Sequence, residues 1–204
     1  MRRKHCEVKD PKEIERILSL TNIGRLATNG QDGYPYITPL NFVGLEGNIY
    51  FHCAPKGEKL DNLRRDPRVC FEVDVPLSYL DIGMDPSRPI CHLHQYYHCV
   101  IIRGTAAVVE DSALKVAALN ALIIKHENTE DFTPVTDDMS ACKVCEVIEI
   151  KPVSVTAKSD LGQNVPEEKR KEIAQYLFKR NQPGDREAVV AMGYDFKYTK
   201  EPRR

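Results

Sequence analysis

The stretch "YPYITPLNFVGLEGNIYFHCAPKGEKLDNL", Tyr34–Leu63, changes character twice. "YPYITPLNFV" reads as a strand, and its two prolines, Pro35 and Pro39, assign it to an edge or a bulge. "GLEGN" turns the chain, and "IYFHCA" returns as a second strand joined antiparallel to the first. "KGEKLDNLRRDP" then reads as a short helix stopped by Pro67. Lys59 falls in the first turn of that helix. A helix N-terminus carries roughly +0.5 of an elementary charge, so a cation there needs an explanation.

The flanks extend this meander. Upstream, "DPKEIERILSL" is a helix with Asp10 as cap, Pro11 at its first position and Glu13 completing a capping-box-like pattern. "IGRLAT", Ile23 to Thr28, is a strand, and "NGQDG" is a glycine-containing turn. Downstream, "RVCFEVDV" is a further strand, and 76–97 reads as irregular. "HCVIIRGTAAVVE" is a long strand in which Gly104 marks a bend or a close backbone approach. "DSALKVAALNALIIKH" is a helix capped by Asp111 or Ser112. "KVCEVIEIKPVSVTA" is the last strand or strand pair, and "PEEKRKEIAQYLFKR" is a C-terminal helix. Sequential antiparallel strands with few helices argue against a doubly wound fold and for a small β-barrel with peripheral helices.

The chain has 204 residues, 42% apolar and 29% charged, with a net charge of −1. Nothing in that balance draws it to nucleic acid or anionic lipid. No apolar run approaches the ~18 residues of a membrane span, and the charged start "MRRKHCEVKDP" is no secretory signal. A cytoplasmic protein is expected, and its seven cysteines read as reduced thiols.

The chemistry concentrates where the strand becomes a helix. Gly57 lets a backbone approach a ligand closely, and the free N–H groups of the helix start point at the same spot. Lys56 and Lys59 would repel each other and the helix dipole unless an anion lay among them. A phosphate-bearing ligand resolves all three features, although no Walker loop is present. His52 shares a strand face with Tyr50 and precedes this turn. Cys53 reads as a small buried residue or a reactive thiol. "CHLHQYYHC" and "CKVC" suggest metal by composition, but "CKVC" falls in an expected strand that sends Cys142 and Cys145 to opposite faces, so no metal site is expected.

The blocks "MRRK", "GRLATNGQDGYPYITPLNFV", "IYFHCAPKGEKLDNLRRDPRVCFEV" and "VIIRGTAAVVED" resemble, in order, the flavin-binding split-barrel proteins related to the pyridoxamine 5′-phosphate oxidases. The nearest branch is the nitroimidazole-resistance (Nim) proteins. The resemblance covers about residues 1–157, so 1–160 is expected to be an FMN-binding domain and 161–204 a C-terminal helical extension. It implies a six-stranded antiparallel split barrel and a homodimer with FMN at the subunit interface, with FAD or heme as alternatives. The flavin ring would lie along Thr38, Pro39, Leu40 and Asn41. The phosphate would lie near Lys56, Gly57 and Lys59, with Asn62 and Cys53 close by. His52 matches a histidine that in the Nim branch sits beside the flavin, and it is the expected catalytic residue. Cys99 stands where the oxidases carry a glutamine that helps hold the flavin. The oxidases' C-terminal arginine motif is absent, so the resemblance implies reduction of a small electrophile such as a nitroimidazole or nitroaromatic, not oxidation of pyridoxamine phosphate. A non-catalytic flavin- or heme-binding carrier or sensor is the alternative.

Overall fold

The computed structural model describes residues 2–87, 89–90, 93–127 and 131–196. In chain order the elements are β1 (Glu7–Val8), α1 (Pro11–Ser19), β2 (Ile23–Asn29), β3 (Pro35–Asn41), β4 (Val43–Leu45), β5 (Asn48–Cys53) and α2 (Glu58–Arg65). There follow β6 (Arg68–Leu80), β7 (His94–Val108), α3 (Ser112–Glu127), α4 (Ser140–Val144), β8 (Glu146–Asp160), α5 (Glu167–Arg180) and α6 (Asp185–Ala191). The helix starts follow their local chemistry. The Asp10 carboxylate accepts from the Lys12 N–H at 3.0 Å, and Asp111 accepts from the Leu114 N–H at 2.9 Å. Each replaces an acceptor that the first helical turn lacks.

The strand order is β3-β2-β6-β7-β8-β5-β4, with β1 beside β8. The β1–β8, β2–β3, β2–β6, β4–β5 and β5–β8 pairings are antiparallel. This is the expected antiparallel split-barrel class, with eight strands in place of six. The difference arises because the expected strand Tyr34–Val43 breaks at Phe42 into β3 and β4, and because the two-residue β1 joins the sheet. β3 stands at the end of the order, which accommodates Pro35 and Pro39 without losing ladder bonds. Three local expectations are corrected. The segment 76–97 is not irregular throughout, since β6 continues to Leu80 and β7 begins at His94. Cys142 lies in helix α4 and Cys145 follows it, so neither is on a strand. A further helix, α6, follows the expected C-terminal one. Gly104 makes the expected close approach: a Cβ there would collide with the Lys151 carbonyl.

The chain divides into two compact units. One comprises 9–74 and 100–156, the other 1–8, 75–99 and 157–204, so β6, β7 and β8 contribute residues to both. In the first unit Leu26, Phe42, Phe51, Phe71, Ile148 and Ile150 are fully buried. Phe42 meets Phe71 edge-to-face at 5.0 Å between centroids. A separate cluster joins Val43, Tyr50 and Val147 to Ala118 and Leu122 of α3. Tyr50 therefore lies beneath α3, and its hydroxyl donates to Glu149 at 2.6 Å.

In the second unit α5 and α6 close over Leu80, Tyr96 and Leu161. A buried ionic knot accompanies that core. The fully buried Asp185 accepts from Ser78 Oγ at 2.6 Å, Arg180 at 2.6 Å and the Gln182 N–H at 2.8 Å. Arg180 also donates to Asp81 at 2.6 Å and to the Tyr79 carbonyl at 3.0 Å. Burial alone would raise the Asp185 pKa. The hydrogen bonds from Arg180 and Ser78 outweigh it and hold the carboxyl below the ordinary range.

Candidate functional site

Gly57 is the N-cap of α2, with φ of 132° and no side chain to cap the helix. Its carbonyl accepts from the N–H groups of Leu60 and Asp61, and the helix starts immediately afterwards at Glu58. Lys56 is exposed and Lys59, the second residue of α2, is half-buried. Among the described residues neither lysine pairs with a carboxylate. The Lys59 ammonium instead lies over the ring of Phe51, 4.9 Å from its centroid. Glu58 and Asp61 share this first turn, and Asp61 is held by Arg64 at 3.0 Å. The turn thus gathers two lysines outside any ion pair and a helix start with no side-chain cap, a combination that accommodates an anion.

The pleat of β5 sorts its residues. Phe51 pairs with Ile148 and His52 with Val147 across β8. Alternation sends His52 to the face of Tyr50, beneath α3, and Phe51 and Cys53 to the other. Lys59 attends Phe51 and Cys53. The Cys53 thiol is pushed up by burial and drawn partly back by the Lys59 charge. His52 is exposed, and its titratable neighbour is His126 of α3. His126 bonds to the Phe42 backbone, while its Nε2 is buried without a partner among the described residues. Burial is the main cause that lowers its pKa. His126 escaped sequence reading, because a histidine at a helix end carries no pattern that points to β5.

Thr38, Pro39, Leu40 and Asn41 lie on β3, paired with Leu26, Arg25, Gly24 and Ile23 of β2. As the terminal strand of the sheet, β3 leaves one row of backbone groups outside the ladder. Residues along it alternate between exposed and half-exposed, so neither face is sealed. The Thr38 Oγ1 is buried with no partner among the described residues. Asn62 is buried and already engaged: its amide donates to Thr28 Oγ1 at 3.1 Å and accepts from Arg65 at 3.0 Å. That network ties the α2 start to β2. Cys99 is a β7 residue of the other compact unit, half-exposed.

The histidine-rich segment is only partly described, since Cys91 and His92 lie outside the described residues. Its other histidines have hydrogen-bond partners. His94 Nε2 meets Asp160 at 3.1 Å, and His98 Nδ1 meets Ser159 Oγ at 2.7 Å. Among the described residues no group of three or more His, Cys, Asp or Glu could hold a metal ion. Among them, too, no helix is long and apolar enough to cross a membrane.

An antiparallel split barrel with an open terminal strand and a cationic strand-to-helix turn defines a class of small-molecule-binding barrel. The family model described as pyridoxamine 5′-phosphate oxidase matches residues 10–159, and the chain belongs to that family. Among curated proteins, none matches this sequence. Solved structures share the fold. A candidate 5-nitroimidazole antibiotic resistance protein from Bacteroides thetaiotaomicron is 22% identical with a TM-score of 0.63, over 75% of this chain and 86% of that one. The flavocytochrome Anf3 from Azotobacter vinelandii is 18% identical with a TM-score of 0.67, over 84% and 77%. The FAD and heme binding protein from Mycobacterium smegmatis is 14% identical with a TM-score of 0.64, over 81% and 78%.

Proposed function

We propose that this protein is an FMN-binding flavoprotein, an oxidoreductase that reduces a small electrophile such as a nitroimidazole or nitroaromatic. The observation that carries the reading is the turn at Gly57, where Lys56 and Lys59, neither in an ion pair among the described residues, meet a helix start with no side-chain cap. Lys56, Lys59 and the first N–H groups of α2 would hold the phosphate. The outer backbone edge of β3 at Thr38–Asn41, with the partnerless Thr38 hydroxyl, would hold the ring. FMN, when bound, supplies the electron transfer, and the protein supplies orientation and electrostatics. His52, exposed on β5 just before this turn, is the proton donor or substrate contact. The flavin and heme proteins among the structural relatives support a flavin of some kind.

The proposal includes a homodimer with the flavin at the subunit interface. Exposed apolar residues beside the ring segment, Tyr34 at 75% and Ile37 at 58%, support it. It also includes a cytoplasmic location, supported by six described cysteines that are all free. The test is a spectrum of the purified protein followed by anaerobic addition of NADH or NADPH and then a nitroimidazole. A flavin spectrum that bleaches with one nicotinamide and returns with the nitroimidazole is expected. A flavin that neither nicotinamide bleaches assigns the protein to carriers or sensors, and a heme band in its place overturns the cofactor.

A further inference from the structure

The first compact unit holds a cavity of about 750 Å³ that none of the flavin-site residues line. Ile14 and Leu18 of α1, Leu45 and Ile49 of the β4–β5 hairpin, Ile124 of α3 and Val155 of β8 make its wall predominantly apolar. The size is that of a small-molecule site. Its carboxylates, Glu15 and Glu46, are exposed, whereas its one lysine, Lys125, is half-buried.

Lys125 reaches inward. Its ammonium lies 3.5 Å from the centroid of the Phe42 ring and donates to the Leu18 carbonyl at 3.2 Å. No carboxylate among the described residues pairs with it. An ammonium has three N–H donors, and these contacts leave at least one without an acceptor among the described residues. Burial lowers its pKa to about 8, the behaviour of a cation that lacks a counter-charge. A single desolvated cation at the wall of an apolar cavity is complementary to a molecule with an apolar body and one anionic head.

We propose that this cavity binds an apolar molecule bearing a single carboxylate, with the carboxylate on Lys125 and the body against Ile14, Leu18 and Ile49. The occupant differs from the flavin and from its electron acceptor, so the site stands independently of the flavin reading.

The test is calorimetric titration of the full chain with octanoate, decanoate and decanol, each below its aggregation concentration. Decanoate should bind, and each methylene added from octanoate should tighten binding about fourfold. Lys125→Met, which keeps the stem and removes the charge, should weaken decanoate by roughly tenfold or more and leave decanol unchanged. Gly44→Phe should abolish binding of both. Gly44 lines the cavity on a strand, and a Cβ there meets only the Asn48 carbonyl, at 4.0 Å, so the ring fills the cavity without backbone strain. Circular dichroism melting checks that both variants fold. Equal binding of decanoate and decanol, or decanoate binding unchanged in Lys125→Met, overturns the proposal. So does absence of binding, and if Gly44→Phe then also halves the mass seen by light scattering, the face belongs to a second copy of the chain.

Discussion

The Lys59 ammonium lies 4.9 Å from the centroid of the Phe51 ring, at the place where a strand hands over to a helix. The contact partly compensates a cation that the helix dipole disfavours. A cation on an aromatic face is held by about 0.5–1 kcal/mol at an exposed site, so it stays available to a stronger partner. Replacing Lys59 by Ala should weaken FMN binding by about 1.5–3 kcal/mol, roughly ten- to a hundredfold, the scale for one charged hydrogen-bond partner. Quenching of flavin fluorescence on titration measures it. Unchanged affinity would remove the phosphate from this turn.

Two glycines with similar positive φ separate strain from collision. Gly33, at φ 86°, has open space around a would-be Cβ. Gly184, at φ 85°, would drive the same atom into the Leu77 carbonyl. Gly33→Ala should cost about 1–2 kcal/mol, the backbone penalty alone. Gly184→Ala should cost clearly more, because the loop into α6 must also shift. Urea unfolding of the two variants makes the comparison, and equal losses would contradict the packing at Leu77.

The Asp185–Arg180 pair should dominate the stability of the C-terminal helices. Asp185→Asn leaves the largely buried Arg180 guanidinium short of one partner and should cost about 3 kcal/mol. The pH dependence has a defined sign. The Asp185 and Asp81 pKa values lie below the ordinary carboxylate range in the folded protein. Their stabilisation is therefore present above the unfolded value, about 3.9, and is lost as pH falls through the folded values. The stability gap between wild type and Asp185→Asn should be constant near neutrality and close at acid pH, read from thermal melts across pH.

Lys125 should shift stability in the same direction with pH, in an alkaline window. Its folded pKa is about 8, against an unfolded value near ~10.4. Between those values the unfolded chain holds a proton that the folded chain has released, so stability rises with pH across that window. Chemical denaturation at pH 7.5 and 9.5 should show the rise in the wild type and a smaller rise in Lys125→Met. An equal rise in both would mean that this lysine is not desolvated.

The proposed phosphate turn is legible in the sequence because it is local. Lys56, Gly57 and Lys59 are neighbours in the chain, and their conflict with the helix dipole needs no tertiary information. Pro35 and Pro39 predicted the edge position of their strand, since proline lacks the N–H that an inner strand must donate. What failed was also instructive. Cys142 and Cys145 read as strand residues because "KVCEVIEI" is β-rich, yet α4 ends only at Val144. Boundaries depend on where a helix finds its packing, not on propensity alone.

The sequence by itself determined the antiparallel class, the family and the lysine-bearing strand-to-helix turn, because periodicity, turn residues and adjacent charges are properties of contiguous chain. Only the tertiary structure decided which groups are desolvated and which meet. Lys125 lies 76 positions after Ile49, yet both line one cavity. Ser78 donates to the buried Asp185 carboxylate from 107 positions away in the chain. Burial and long-range pairing arise when strands and helices stack, and no local pattern records which distant residues the stacking will bring together.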